Sequence, residues 1–153
     1  MVEQAIKVGI ACHSKISNNQ VFDRKNYFYP DLPKGYQLTQ DRTPICVGGH
    51  VSIKTKSGTE RKIELNRIHM EEDAGKSIHL ENVNDTLLDF NRAGVALIEI
   101  VTNPVITSAE EAAAVFAEIR KLVRYLGVCD GNMEEGSLRC DANVSVKIGR
   151  AHV

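Results

Sequence analysis

The clearest helix is the sequence feature that most constrains the fold. From Ala109 to about Leu126, apolar residues recur at steps of three and four, which predicts one apolar stripe that packs on a sheet. The stripe comprises Val115, Phe116, Ile119, Leu122, Val123 and Leu126. Ser108 and Glu111 have the spacing of a capping box, and Gly127 is a natural C-terminal stop. A helix with this one apolar face needs a sheet to cover.

Alternation of polar and apolar residues predicts the strands of that sheet. Residues 50–55 and 59–70 alternate on either side of a turn, so they predict a β-hairpin. Residues 95–101 form an apolar strand, and residues 137–148 show the strongest alternation in the chain. We expect an α+β fold with an antiparallel sheet and packed helices.

Three further segments complete the coarse prediction. Residues 2–12 are predicted as a short helix, and residues 22–44, which mix aromatics, prolines, glycine and charges, as an ordered loop. Residues 77–84 are polar and carry no strong pattern.

Length and charge limit the class of protein. A chain of 153 residues with 42% hydrophobic and 25% charged residues is enough for one core-forming domain. The net charge of −1 provides no overall field that attracts nucleic acid, so such a contact would need a local patch. The apolar runs are far shorter than a membrane span, and we expect no membrane contact and no cleavable signal.

The four cysteines are predicted to be reduced core thiols. Cys12, Cys46, Cys129 and Cys140 lie far apart and form no C-x-x-C pair, which argues against a zinc site. A reducing compartment is therefore expected.

An acidic cluster marks the end of the second hairpin strand, in the segment RIHMEEDAGK at residues 67–76. On this strand one face is predicted to carry Ile63, Leu65, Arg67, His69 and Glu71, and the other Glu64, Asn66, Ile68, Met70 and Glu72. Glu99 lies inside the apolar run 95–101, where a carboxylate needs a partner to offset its desolvation. Two acids on separate strands can share one cation.

Three predicted strands thus place acids beside a sheet, and their chemistry suits magnesium. The acids are Glu71 with Glu72 and Asp73, then Glu99, then Asp141. Hard oxygen donors favour Mg²⁺ over zinc, and Mg²⁺ usually fills its remaining positions with water and phosphate oxygens. A nucleoside triphosphate is therefore the expected ligand, with Arg67, Lys76 and Arg139 available to its phosphates.

Simpler interpretations remain open. Acidic triplets after a strand are usually solvated, Asp141 with Arg139 could be a surface pair, and a lone His69 is more often structural than a ligand. The sequence contains neither the phosphate-loop pattern G-x-x-x-x-G-K-[ST] nor G-x-G-x-x-G, so the common nucleotide folds are not supported.

Four motifs in one order carry a resemblance to a known family. They are FDRKNYFYPDLPKGYQ (residues 22–37), RIHMEEDAGK (67–76), Asn91-Arg92 with LIEIV (97–101), and MEEGSLRCDAN (133–143). Together they resemble the B subunits of the aspartyl/glutamyl-tRNA amidotransferases, and the similarity covers nearly the whole chain.

The resemblance implies a cradle of the glutamine synthetase and guanido kinase type. It also implies that ATP phosphorylates the side-chain carboxylate of glutamate or aspartate mischarged on tRNA(Gln) or tRNA(Asn), after which ammonia displaces the phosphate. The implied partners are an amidase subunit that supplies ammonia, a small third subunit of the amidotransferase, and the mischarged tRNA. The compartment would be the cytoplasm in bacteria, or the mitochondrial matrix or plastid in eukaryotes.

The resemblance also assigns expected roles. Glu71 and Glu99 would bind Mg²⁺ directly or through water, and Glu72 and Asp141 would be catalytic residues near the ATP and the metal. The ATP-binding residues would be Arg67, His69, Lys76 and Arg139, as phosphate contacts or as partners of the metal ligands. The aromatic segment 25–37 would either line the nucleotide or acceptor-end pocket or simply pack as an ordered loop.

Departures from the family pattern lead to a second hypothesis. Similar subunits have an upstream strand with a Glu and a His, a cysteine-rich zinc insert, and a downstream helical tail that binds tRNA. Residues 1–153 are therefore expected to be a partial cradle domain that is inactive alone, from a truncated or alternatively spliced product. The alternative is a non-catalytic scaffold that binds the amidase subunit, whereas the balanced charge argues against a stand-alone RNA-binding module.

Overall fold

The computed structural model describes residues 1–81 and 84–146, which contain two helices and nine strands. The helices are α1 (Val2–Ala11) and α2 (Ala109–Tyr125). The strands are β1 (Lys15–Ile16), β2 (Asp23–Asn26), β3 (Tyr36–Thr39), β4 (Cys46–Val47), β5 (His50–Lys54), β6 (Glu60–Glu72), β7 (Lys76–His79), β8 (Thr86–Asp89) and β9 (Ala96–Thr102). The predicted α+β class is confirmed.

Strand β6 is the centre of the main sheet. Over its 13 residues it pairs with β4 and β5 along one edge and with β9 along the other. Strand β1 extends the sheet beyond β4, and every pairing is antiparallel. The hairpin predicted from alternation at residues 50–70 and the strand predicted from the apolar run at 95–101 are both confirmed, since β5 and β9 both pair with β6.

Both helices pack on the same core. One hydrophobic cluster joins the two helices to the buried strand residues. Helix α1 contributes Ala5 and Val8, its C-cap contributes Cys12, and α2 contributes Val115. The hydroxyl of Ser108 accepts a hydrogen bond from the Glu111 N–H at 3.2 Å, as the capping-box spacing predicts. The two predicted helices are therefore confirmed.

A β-bulge in β6 corrects the predicted faces of that strand. Between Leu65 and Arg67 the register against β9 shifts by one residue. The core cluster contains residues from both sides of the shift, namely Ile63 and Leu65 before it and Ile68 and Met70 after it. The extra residue reverses the alternation, so Arg67, His69 and Glu71 do not share a face with Ile63 and Leu65.

Two predicted irregular segments contain hairpins. Strands β2 and β3 pair inside the predicted loop 22–44, and β7 pairs with β8 inside and beyond the polar segment 77–84. Most side chains of these strands stay exposed or half-buried. Hydrophobic alternation therefore could not reveal them, since it arises from burial of one face.

The strand predicted over residues 137–148 is wrong for residues 137–146, and the last two lie outside the described residues. Val144 and Val146 are 89% and 84% exposed. A strand needs a neighbour whose backbone groups pair with its own, and within residues 1–81 and 84–146 no strand pairs with this segment. The alternation of polar and apolar residues is therefore not sufficient to form a strand here.

The cysteine prediction holds for two of the four residues. Cys12 and Cys46 are buried free thiols, and burial, followed by the proximity of Cys46, raises the pKa of Cys12 to about 11. Cys129 is half-buried and Cys140 is exposed, so neither is a core thiol. Of the helices in the described part of the chain, neither has the length and apolarity needed to cross a membrane.

Candidate metal centre

Three side chains predicted from the sequence meet on the face of β6 and β9 that lies away from the main core. His69 and Glu99 are direct cross-strand partners, and Glu71 follows two residues after His69. The Nε2 atom of His69 lies 3.5 Å from Oε2 of Glu71 and 3.5 Å from Oε2 of Glu99. One donor atom from each residue lies within 4.8 Å of the other two, which is close enough for a shared cation.

His69 lies buried at the centre of this cluster. Its side chain is only 3% exposed, and its Nδ1 atom accepts a hydrogen bond from the Nε–H of Arg67 at 3.3 Å. The Arg67 guanidinium lies 3.5 Å from a carboxylate oxygen of Asp41. The imidazole therefore contacts Arg67 through Nδ1, and its Nε2 atom faces Glu71 and Glu99.

Glu71 is the more buried carboxylate, with a side chain 13% exposed. Burial acts to raise its pKa, but hydrogen bonds from His69 and Thr39 and the positive charge of Lys25 outweigh burial and lower the pKa below its ordinary value. The Thr39 hydroxyl lies 3.2 Å from Oε2 of Glu71. Glu71 is thus held as a carboxylate.

Glu99 differs from the sequence-based expectation. Its side chain is 51% exposed, because it points away from the core that Ile98 and Ile100 contact. Desolvation is therefore weaker than its apolar neighbours suggest. Its only ion-pair contact among the described residues is with His69, which leaves its carboxylate open to an external partner.

Two residues that sequence reasoning missed support the cluster. Thr39 contacts Glu71, and the fully buried Gln40 accepts hydrogen bonds from the N–H groups of Ile45 and Met70, each at 3.1 Å. Neither residue lies in a recognisable metal or phosphate pattern. The signal that could have found them is their position directly after the aromatic segment.

Glu72 does not join the cluster. Its carboxylate pairs with Lys34 and accepts a hydrogen bond from the Leu38 N–H at 2.9 Å, while its carbonyl accepts one from Gln37. A Cβ atom added at Gly75 would lie 2.9 Å from the Asp89 carbonyl oxygen and 3.0 Å from that of Asp31, so a side chain here would require a shift of the backbone. These contacts attach the β2–β3 hairpin to the end of β6.

Arg139 lies in a separate charged cluster around Asp73. Its Nη2 atom donates to Oδ2 of Asp73 at 2.8 Å, and the Nε atom of Arg92 lies 3.8 Å from the same oxygen. Asp73 is 7% exposed. Arg139 therefore pairs with Asp73 and not with Asp141, and no sequence pattern indicates this contact between residues 66 positions apart.

Lys76 and Asp141, the other two predicted site residues, are exposed. Lys76 opens β7 opposite Asp89, and Asp141 lies in the extended segment after Arg139. Within the part of the chain that the structure describes, neither side chain forms an ion pair. The structure brings together Arg67, His69, Glu71 and Glu99, but does not bring these two into the cluster.

Comparison with known proteins identifies the family. The family described as the GatB/GatE catalytic domain matches residues 1–153. The chain therefore belongs to the GatB/GatE family, as its four motifs predict.

Curated relatives agree with this assignment. The chain is 54% identical over 147 residues to the B subunit of the aspartyl/glutamyl-tRNA(Asn/Gln) amidotransferase of Nitrosococcus oceani, which covers 96% of the chain and 31% of that relative. It is 55% identical over 146 residues to the protein of the same name from Rickettsia typhi, covering 95% of the chain and 30% of the relative. The chain thus spans less than a third of the length of these relatives.

Proposed function

We propose that this chain forms part of the subunit that converts Glu-tRNA(Gln) or Asp-tRNA(Asn) into Gln-tRNA(Gln) or Asn-tRNA(Asn). ATP would phosphorylate the side-chain carboxylate of the mischarged amino acid, and ammonia would then displace the phosphate. Membership of the GatB/GatE family and the names of the relatives support this proposal. The observation on which it rests most directly is the cluster of His69, Glu71 and Glu99.

The chemistry explains why such a cluster is needed. A carboxylate reacts poorly with ammonia because its leaving group would be an oxide, whereas a carboxyl phosphate releases inorganic phosphate. Transfer of the γ-phosphoryl group gathers negative charge from the ATP and from the attacking carboxylate. A bound Mg²⁺ would supply neutralisation of that charge.

The residues present fit Mg²⁺ through their oxygen atoms. Glu71 and Glu99 offer two carboxylates on adjacent strands, which matches the one or two protein carboxylates that Mg²⁺ usually takes. The lowered pKa of Glu71 keeps this group charged, and the exposed side of Glu99 leaves room for water and phosphate oxygens. His69 would hold both carboxylates in place.

The other predicted site residues differ in whether they are free to contact ATP. The exposed Lys76 is available to a phosphate, whereas Arg139 and Glu72 are already engaged by Asp73 and Lys34. The cradle fold, the catalytic roles of Glu72 and Asp141, and an ATP contact from Arg139 remain predictions.

The β2–β3 hairpin offers a further contact for the tRNA. Phe28 at its tip is 90% exposed, and the Arg24 and Lys34 side chains lie over the Tyr36 ring at 5.0 Å and 4.8 Å. An aromatic and basic surface of this type suits the unpaired acceptor end. The amidase subunit, together with the small third subunit, would complete the enzyme, in the bacterial cytoplasm or in a mitochondrial matrix or plastid.

The test compares two Glu→Gln variants in the whole subunit that carries this domain. With the amidase and small subunits present, E71Q should reduce ATP-dependent formation of Gln-tRNA at least about a hundredfold, because a ligand carboxylate is lost. E118Q is the matched control, since Glu118 lies on α2 with its side chain 41% exposed and pairs only with Lys121 among the described residues. An undiminished rate in E71Q would place the metal elsewhere.

The scaffold alternative has its own measurement. Calorimetric titration of the 153-residue chain with ATP, with and without Mg²⁺, tests whether the cluster binds nucleotide. Binding that requires Mg²⁺ and is lost in E99Q supports the catalytic proposal. A chain that binds the amidase partner but no Mg²⁺-ATP would instead favour a scaffold.

A further inference from the structure

We propose that Arg67 fixes the tautomer of His69 and thereby makes the centre selective for hard cations such as Mg²⁺ over zinc. The inference rests on the proposed metal-binding function of the cluster, but it concerns a property of the side chains themselves. Arg67 is then a positioning residue that acts through His69. It would not need to contact the phosphates of ATP.

The contact between the two side chains determines where the imidazole proton lies. An arginine side chain has five N–H donors and no acceptor, and it stays protonated in proteins. Because Nε of Arg67 lies 3.3 Å from Nδ1 of His69 in hydrogen-bonding geometry, Nδ1 must be the acceptor. A neutral imidazole that accepts through Nδ1 carries its proton on Nε2.

The protonated Nε2 faces the two carboxylates. Oε2 of Glu71 and Oε2 of Glu99 both lie 3.5 Å from this atom, so His69 can donate towards either one. A histidine that binds a metal usually has the opposite arrangement, in which one ring nitrogen binds the ion and the other N–H donates to a carboxylate or carbonyl. Arg67 cannot accept that proton.

The cluster therefore offers oxygen donors but withholds its nitrogen donor. Zinc prefers sites that include imidazole, whereas Mg²⁺ prefers carboxylate and water oxygens. To bind zinc through Nε2, His69 would have to move its proton to Nδ1, where it would face the N–H of Arg67. The 3% exposure of the His69 side chain opposes rearrangement of its ring.

The fold explains why Arg67 is in position to do this. The β-bulge between Leu65 and Arg67 places Arg67, His69 and Glu71 on the face away from the main core. Arg67 and Glu71 then flank His69 on one strand, and Glu99 is its partner on the next. Without the register shift the arginine and the core leucine would share a face.

The first test measures the tautomer directly in the metal-free chain. The protein is labelled with ¹⁵N-histidine, and His69 is assigned by the resonance that disappears in H69Q. Long-range ¹H–¹⁵N correlation spectra distinguish a proton on Nε2 from one on Nδ1. We expect the Nε2–H form, and an Nδ1–H form would overturn the proposal.

The second test uses two substitutions that differ in what they offer to Nδ1 of His69. In R67K the ammonium group, like the guanidinium, can only donate, so Nδ1 must still accept. In R67M donor and charge are both lost. Loss of the charge affects every divalent cation, so the Mg²⁺ affinity serves as the reference for the zinc affinity.

Zinc and magnesium affinities are measured for both variants by calorimetric titration. We expect zinc to bind R67M about tenfold or more tighter than R67K, beyond any difference in Mg²⁺ affinity, because only R67M allows Nε2 to become a ligand. The Mg²⁺ difference between the two variants measures the effect of the lost charge. The excess for zinc should vanish when H69Q is added to each variant, a comparison in which any binding by cysteines cancels.

A zinc difference between R67M and R67K that is no larger than their Mg²⁺ difference, or undetectable zinc binding in both, would overturn the selectivity that we assign to Arg67. Neither test requires ATP or tRNA turnover. Loss of the proposed amidotransferase function would therefore leave these results unchanged, and failure of the tautomer prediction would leave the amidotransferase proposal open.

Discussion

Two carboxylates that lie two positions apart, Glu71 and Asp73, have opposite surroundings. Asp73 contacts the guanidinium groups of Arg92 and Arg139, and its carboxylate also accepts a hydrogen bond from the Ala74 N–H at 2.9 Å. Glu71 shares one imidazole with a second carboxylate, Glu99. The charge of Asp73 is neutralised by two arginines, whereas Glu71 lies beside a second negative charge, that of Glu99.

This difference distinguishes an acid that is balanced within the chain from two acids that are available to a cation. Removal of a buried carboxylate that two arginines contact destabilises the fold, since the arginine charges are left uncompensated. Two carboxylates around one histidine gain little stability from each other, and a cation would relieve their repulsion. Composition could not make this distinction, because the three acids at residues 71–73 are adjacent in sequence.

The largest expected change in the free energy of unfolding is at Asp73. D73N should lower the free energy of unfolding by about 2–3 kcal/mol, because the buried carboxylate is lost while Arg92 and Arg139 keep their charges. The value is below that of a fully buried pair because both arginines are partly exposed. Urea denaturation followed by circular dichroism measures it.

A matched control for that prediction is D141N. Asp141 is exposed and forms no ion pair among the described residues, so the change should stay within about 0.5 kcal/mol. If D73N and D141N were equally stable, the assignment of Asp73 as a structural acid would be wrong.

An intermediate effect is expected at Glu72, which attaches the β2–β3 hairpin. E72Q should lower the free energy of unfolding by less than about 1 kcal/mol, because its partner Lys34 is partly exposed. Hydrogen exchange at the Leu38 amide should increase, since the carboxylate that accepts from it becomes a neutral amide.

The same contact predicts a pH dependence. Burial acts to raise the pKa of Glu72, but hydrogen bonds from Lys34 and Leu38 lower it below the ordinary value of 4.5. A group with a lowered folded-state pKa stabilises the fold above its unfolded-state pKa and loses that contribution as the pH falls through the folded-state value. Stability should therefore decline below about pH 4.5, and less steeply in E72Q. Identical acid profiles for the two proteins would contradict the prediction.

The smallest effect on stability is expected at Glu99. In the absence of divalent cations, E99Q should raise the free energy of unfolding by less than about 0.5 kcal/mol, because one of two facing carboxylates loses its charge. Added Mg²⁺ should raise the melting temperature of the native chain but not of E99Q. A clear loss of stability in E99Q without metal would show that this acid is structural, like Asp73.

The sequence predicted the elements whose signal is local. Helix α2 is specified by its 3.6-residue period and by Ser108 at its first turn, and the β5–β6 hairpin by alternation around a short turn. Both signals come from residues close in sequence, so no distant contact was required to read them.

Predictions that needed a distant partner were less successful. Residues 137–146 alternate but have no neighbouring strand among the described residues, whereas β2 and β3 pair without any apolar alternation. Arg139 was singled out as a site candidate by its motif, yet its contact with Asp73 became visible only in the structure.

The sequence by itself determined the family, the helices, the central hairpin and the group of acids from which a metal site could be built. The tertiary structure decided which of those acids meet. A one-residue shift in the register of β6 against β9 turns His69 and Glu71 away from the core and sets His69 opposite Glu99. Such a shift depends on the pairing between strands far apart in the chain, so the periodicity of either strand alone could not predict it.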